Sequence, residues 1–521
     1  MQTKLLPLVS ILALTTLMAC GTDDPVGDLA ANDVADTHHQ DINWFTGSVD
    51  EAFSIAKQQN KPLFFYWGAV WCPPCQEIKH TVFEHPKFIS QSELFVPVYL
   101  DGDTEQAQLV GEQFAVQGYP TMIVFNSAGE EITRIPGGID TRRYLDVLSL
   151  SLARDKNMDL LIEQAINVPE SLTGDELTLL AFYSWGQDNV TINDDQSLSL
   201  LKSLAFLPGA ENQLAISRLL LSYLSKQIDL ERDDLSGDQK QDVLLRVHNL
   251  LAEPDSVLAN VDYLSFYSAE IVNLLTLTQG DRDLLVQQWI ESLSKQRVNP
   301  VLSSAERLGT WLAPIDLYWL QNPQQQSLPA DLAAAIESEV QELDGLTKGD
   351  ARQSVINRAG NVLRAAGLYP QAKKLITKEL MISQSPYYFM SSLAEIAEET
   401  EDFAGIIEWR EKAYRAATGK ATRFQWGVEY VSALIQYQPQ ATEVIADTAS
   451  SLFDNLDQGS DVFSGRNYGR LKTLLANLKQ WQAQARDQTL VRFVARLQSF
   501  CDQTDRESRQ YQQCSSLLVS L

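Results

Sequence analysis

The tightest constraint on this chain is local: the apolar and aromatic run PLFFYWG, from Pro62 to Gly68, is followed at once by Trp71-Cys72-Pro73-Pro74-Cys75. The run suits a short buried strand. Prolines are tolerated in the first turn of a helix, where amides have no intrahelical partner. A strand should therefore give way to a helix that opens on the two cysteines. Upstream, Ser48-Val49-Asp50-Glu51 is a capping-box pattern, and Ala52, Ile55 and Ala56 then repeat at helical spacing to Asn60. Downstream, Leu94 to Asp101 reads as a strand and Glu105 to Phe114 as a helix. MIVFN and EEITRIP read as two strands around a turn at Ser127 to Gly129, and Thr141 to Ala153 as a closing helix. The predicted order is β-α-β-α-β-β-α behind one early helix.

The thiols could be a redox pair, half of a metal site, or two cysteines at a helix start. C-P-P-C supplies two of the four ligands of a zinc site, and His80 and His85 are the nearest further donors. In this setting redox use is expected and metal is not. His38 and His39 read as linker residues.

Over residues 42–153 the chain resembles the thioredoxin superfamily. The resemblance rests on W-C-x-x-C at a strand-to-helix junction, Tyr119-Pro120-Thr121 about 45 residues on, and Gly137-Gly138 after the last strand. KPLFFYWGAVWCPPC, with TVFEHPKF behind it, looks closest to the C-terminal thioredoxin-like domain of the transmembrane disulfide reductase DsbD. An α/β thioredoxin fold is implied, with Pro120 behind a cis bond. Tyr119 would offer its backbone to an extended substrate segment, and Trp71, Gly118 and Gly137 would complete the groove. The expected partners are disulfide-bearing proteins and an upstream electron donor, and no cofactor is needed beyond the Cys72–Cys75 disulfide itself.

A helix N-terminus carries roughly half a positive charge, which lowers a thiol pKa and makes Cys72 the candidate nucleophile. Cys75, one turn in, is the candidate resolving thiol. Neither Pro73 nor Pro74 has an amide hydrogen to stabilise the Cys72 thiolate, so the pair should be less oxidising than those of strong oxidases. One departure stands out. Thioredoxins carry a buried acid six residues before the first cysteine, and here that position is Tyr66, a poor base at neutral pH. Glu77 either takes over through water or is a solvated charge on the helix face.

The 521 residues call for more than one domain. A net charge of −27 argues against nucleic acid as a partner. Residues 1–19 read as an export signal, with Lys4 ahead of an apolar run from Leu5 to Leu17. Leu17-Met18-Ala19-Cys20 resembles the lipobox of bacterial lipoproteins, which implies cleavage before Cys20 and its acylation. Gly21 beside it favours the outer membrane by the same resemblance. Residues 20–41 would then be the lipidated cysteine and an acidic tether, placing the protein in the cell envelope, facing the periplasm.

With Cys20 acylated, four cysteines remain, and Cys501 with Cys514 is the economical second pair. Thirteen residues of straight helix would hold these thiols roughly 20 Å apart, so the chain should turn back at Asp502 to Asp505, giving a hairpin stapled by a structural disulfide. Residues 154–350 read as all-helical, with Trp185, Trp289, Trp311, Trp319, Trp409, Trp426 and Trp481 as core anchors of the helical remainder. In 351–521, Tyr369, Phe403 and Tyr437 recur every 34 residues, as do Leu363, Ala397 and Val431. That is the tetratricopeptide period. TPR-like hairpins are expected over about 353–455, and upstream of Asp350 the register is lost. The expected function is a membrane-anchored thiol-disulfide oxidoreductase, acting as a reductase, whose helical region binds a partner. The alternative is a binding or assembly lipoprotein in which the thioredoxin fold only docks.

Overall fold

The computed structural model describes residues 42–154, 156–186, 192–209, 211–455, 462–485 and 489–519. The expected signal, the acylated Cys20 and the tether lie outside these residues. No described helix is long and apolar enough to cross a membrane.

Strand β1 (Leu63–Gly68) is buried at every position because it is an interior strand. It lies between β2 (Val96–Asp101) and β3 (Thr121–Phe125), and β4 (Glu131–Ile135) completes the sheet in the order β2-β1-β3-β4. β1 runs parallel to β2, with Leu63 opposite Val96, and antiparallel to β3, with Leu63 opposite Phe125. Successive side chains of a strand point to opposite faces. Phe65 and Trp67 accordingly join the core beneath α1 (Val49–Gln59) and α4 (Glu105–Gln113). Phe64 and Tyr66 join the core that holds α2 (Pro73–Ile78) and α5 (Thr141–Leu152).

Local chemistry explains the helix ends. Ser48 and Glu51 form the capping box of α1, and Asn60 closes that helix in a left-handed conformation. Helix α2 runs into a π-helical turn, Lys79–Phe83, and a short helix α3 (Pro86–Ser92) follows. The sequence reading missed α3, although Pro86 stands at its first position with the His85 side chain as cap. It also began the second strand too early, since Leu94 is exposed in a turn and pairing starts at Val96.

Beyond α5 the described residues are helical, with no further strand. The core on the α2 and α5 side of the sheet continues into helices from Met158 to Leu293, so the two regions share one apolar interior. The outer edge of β4 is met by Ser184, whose amide donates to the Arg134 carbonyl at 2.9 Å. Three helices begin 34 residues apart, Arg352–Ala365, Pro386–Glu399 and Lys420–Tyr437. The first two pair with Tyr369–Glu379 and Phe403–Ala416, also 34 apart. The third partner starts later, at Thr442, because its inner helix extends through Tyr437. The step reaches farther upstream than the sequence suggested: Gln371 bonds Glu337 and Lys378 bonds Asp344 on Ala330–Leu346, each 34 residues earlier. Trp289 and Trp481 are fully enclosed, whereas Trp319 and Trp409 are only partly buried.

At the far end Cys501 and Cys514 are joined between helices Thr489–Gln503 and Arg509–Val519, with Cα atoms 5.7 Å apart. The chain reverses at Thr504 to Ser508, slightly later than predicted.

Candidate active site

Cys72 is the N-cap of α2, and Pro73 and Pro74 fill the first two positions. With two amide hydrogens missing, the Cys75 amide donates to Cys72 Sγ, at 3.2 Å. Cys72 and Cys75 are joined as a disulfide, with Cα atoms 5.2 Å apart. Cys75 is fully buried and Cys72 keeps 3% of its surface.

Behind Cys75, where thioredoxins place an acid, Tyr66 donates its hydroxyl to the Cys75 carbonyl at 3.4 Å. Its ring is held by Phe83 and Tyr99, at centroid distances of 4.8 and 5.5 Å. The nearby Tyr144 phenol is pushed well above its ordinary pKa by burial and then by Tyr66. A phenol stands at the position where thioredoxins carry the acid, so proton transfer from the resolving thiol has no carboxylate at that position.

In front of the pair the Tyr119–Pro120 peptide bond is cis. Tyr119 is anchored by its hydroxyl, which donates to the Gly102 carbonyl at 3.1 Å and accepts from the Gln108 amide at 3.0 Å. Burial raises its pKa. A side chain at Gly137 would sit 2.9 Å from Pro120 Cγ, so the close approach of these two loops needs glycine there. Gly118 faces open space. Pro74, Tyr119, Pro120 and Gly137 line one cavity of about 300 Å3, and Gly118 lines a separate one of about 690 Å3 on the α4 side.

What sequence reasoning missed is the cover. The Trp71 indole donates to Asp103 at 2.9 Å, stacks near Tyr388 at 6.4 Å, and carries the Arg466 guanidinium 5.2 Å over its ring. The Trp71 carbonyl accepts from the Gln353 amide. Asp103 also accepts from Thr422 and pairs with Arg466 at 2.7 Å. On the other flank of α2, Ser303 donates to Glu77. Glu77 is therefore half-buried in an interface, not a solvated helix-face charge. The same Ser303 caps helix Ser304–Gly309 together with Glu306. Burial, and then the neighbouring Glu77 carboxylate, push the Glu306 carboxyl up to about 8. Ser303 lies 226 residues from Glu77, and Arg466 lies 363 residues from Asp103.

The histidines near the pair serve other ends: His80 meets Glu84 at 2.8 Å and His85 caps α3. Among the described residues no group of three or more His, Cys, Asp or Glu could hold a metal ion.

A strand, a turn on C-P-P-C, and a cis-proline loop facing it define a thioredoxin-like domain, and residues 49–150 match the family of that description. Thioredoxin H4 of Arabidopsis thaliana is 34% identical over 82 residues, 16% of this chain and 65% of that protein. The thiol:disulfide interchange protein DsbD of Yersinia pestis (strain Pestoides F) is 34% identical over 101 residues, 18% of this chain and 16% of that protein. The protein of the same name from Photorhabdus laumondii is 28% identical over 94 residues, again covering 16% of its length. The chain thus spans just under two thirds of the plant thioredoxin and about a sixth of the DsbD proteins.

Proposed function

We propose that this protein is a thiol-disulfide oxidoreductase that reduces disulfides in client proteins, held at the envelope membrane by lipid on Cys20 and facing the periplasm. The observation that carries the reading is the Cys72–Cys75 pair at the N-terminus of α2, opposite the cis-Pro120 loop, within a thioredoxin-like domain. In the reduced enzyme the Cys72 thiolate attacks one sulfur of a client disulfide and expels the other as a thiolate. Cys75, as thiolate, then attacks Cys72. The client leaves as a dithiol, two electrons have passed to it, and the enzyme is left with the disulfide seen here. An upstream dithiol donor restores the pair. The Cys75 proton leaves to solvent, since Tyr66 is a poor acceptor.

Replacing Cys75 with Ala halts the cycle at the mixed disulfide, so clients should be recovered covalently on Cys72. A Cys75→Ala protein that captures nothing from envelope extracts overturns the reading.

A second reading is favoured by one observation: the pair is covered by the chain's own helices, with Cys72 only 3% exposed. There the domain would be a docking module of an assembly lipoprotein, and the helices its working surface. A Cys72→Ala, Cys75→Ala double variant that supports full cellular function selects this second reading.

A further inference from the structure

The wall behind Cys75 has no acid at the Tyr66 position, but it holds a charge of the opposite sign. Lys79 follows Cys75 by four residues, and its amide donates to the Cys75 carbonyl. Residues so spaced share one face of a helix, with Cβ atoms about 5–6 Å apart. A lysine is seldom enclosed, yet Lys79 keeps only 3% of its surface. Its ammonium lies 5.9 Å from the centroid of the Tyr99 ring. That ring stacks on Tyr66, whose hydroxyl reaches the Cys75 carbonyl. The contacts of the ammonium thus lead back to the turn that carries the resolving thiol.

Strand β2 supplies the counter-charge. Tyr66 stands opposite Tyr99 and Gly68 opposite Asp101. Alternate residues of a strand share a face, so the half-buried Asp101 carboxylate lies on the same α2 side as Tyr99. Burial raises its pKa, and the Lys79 and Arg466 charges act against that rise. The other titratable groups of this wall are the phenols of Tyr66, Tyr99 and Tyr144, which carry no charge at neutral pH. Glu77 is held by Ser303 on the other flank of the helix. Burial disfavours the ionised form of a thiol and a neighbouring cation favours it. Cys75 is fully buried, so the thiolate that the exchange needs depends on such a cation.

We propose that Lys79 is a positioning residue for the resolving step: its buried ammonium stabilises the Cys75 thiolate, and Asp101 tempers that effect. The proposal deepens the oxidoreductase reading and rests on it. An acid at the Tyr66 position would take the proton, whereas Lys79 makes the proton easier to lose to solvent. The Cys75 thiolate then attacks Cys72 Sγ, the Cys72–Cys75 bond forms, and the client sulfur departs as a thiolate. A unit charge within one helical turn of a thiol moves its titration by about one pH unit. That enlarges the thiolate fraction about tenfold at neutral pH. Weaker nucleophilicity of the more acidic thiol offsets part of the gain, which leaves resolution about threefold faster.

The test titrates Cys75 in the full-length protein. Cys72→Ala leaves Cys75 beside an uncharged neighbour, as in the mixed disulfide. Ultraviolet thiolate absorbance, taken as the difference from the Cys72→Ala, Cys75→Ala protein, then follows Cys75 alone. Adding Lys79→Met, which keeps the side chain's length and removes its charge, should raise the midpoint by about one pH unit. Lys79→Gln should do the same and serves where the apolar variant fails to fold by circular dichroism. Lys79→Arg should hold the midpoint near the parent value, and Asp101→Asn should lower it. A packing role for Lys79 predicts neither the rescue by arginine nor the opposite shift from Asp101. A midpoint that stays in place in the folded neutral variants of Lys79, or that Asp101→Asn leaves in place or raises, overturns the proposal. The titration needs no client, so a protein that titrates as described while its Cys75→Ala form traps nothing overturns the oxidoreductase reading instead.

Discussion

Asp103 is the acceptor on which the cover over Cys72 converges, and its removal is the sharpest test of whether that cover controls the pair. In the wild-type chain it takes the Trp71 indole at 2.9 Å, the Thr422 hydroxyl, and the Arg466 guanidinium at 2.7 Å. The Asp103 and Arg466 side chains are 16% and 15% exposed, so solvent screens the pair only weakly. Asp103→Ala leaves the guanidinium, the indole and the hydroxyl without this partner. Removing one member of a buried ion pair costs ~3–5 kcal/mol, and part of that cost persists after opening, because Trp71 and Asp103 sit on the thioredoxin-like domain itself. Assigning ~3 kcal/mol to the closed arrangement raises the opening equilibrium about a hundredfold. When opening and closing are fast relative to chemistry, the rate of reduction by dithiothreitol tracks that equilibrium. Reduction of Cys72–Cys75 in Asp103→Ala should therefore be about a hundred times faster than in wild type, read by thiol labelling and mass spectrometry. Thr422→Ala, which removes one hydrogen bond, should accelerate it about fivefold. An Asp103→Ala protein with an unchanged melting temperature and the wild-type reduction rate refutes the reasoning.

Two further outcomes follow from the same geometry. Equilibration with glutathione should place the Cys72–Cys75 potential nearer the −270 mV of thioredoxin than the −120 mV of DsbA, since two of the amides around Cys72 are proline nitrogens; a value near the latter contradicts the argument. Glu306 binds its proton more tightly in the folded chain than in the unfolded one, so its contribution to stability is present in acid and is lost as pH rises from its ordinary value toward about 8. Glu77, Asp140 and Ser303 are the groups that face it. Glu306→Gln should flatten that decline in a series of melting temperatures from pH 5 to 9, and a variant that declines as steeply as wild type assigns the effect elsewhere.

The thioredoxin-like domain was legible because its signals are local. A buried run ending on C-P-P-C, a capping box at Ser48 and Glu51, and a turn between two short strands each act over a few residues. Helix α3 was missed because a seven-residue segment is too short to show a period, though His85-Pro86 marked its start. The cover was illegible for a different reason. Gln353, Thr422 and Arg466 are polar residues on helices, and nothing in their spacing distinguishes a side chain that faces water from one that faces Trp71 hundreds of residues away. Glu77 shows the same limit, since its neighbours in sequence suggest solvent and its neighbours in space are Ser303 and Glu306. The helical repeat fell between these cases: its step was visible where aromatic residues marked it, and upstream it survives only as polar contacts such as Gln371 with Glu337.

The long reach of the cover also sets an order of events during synthesis. Domains emerge and fold from the N-terminus, so the thioredoxin-like unit is complete while Gln353, 282 residues beyond Trp71, has yet to be made. Gln513, which bonds Glu112 on α4, follows 401 residues after its partner. For the first part of translation the cysteines stand uncovered, and shielding then builds helix by helix through Gln353, Tyr388 and Thr422 and is completed by Arg466. A chain cut short before Arg466 would keep Gln353, Tyr388 and Thr422 against Trp71 and Asp103 but lose the guanidinium that closes over the indole.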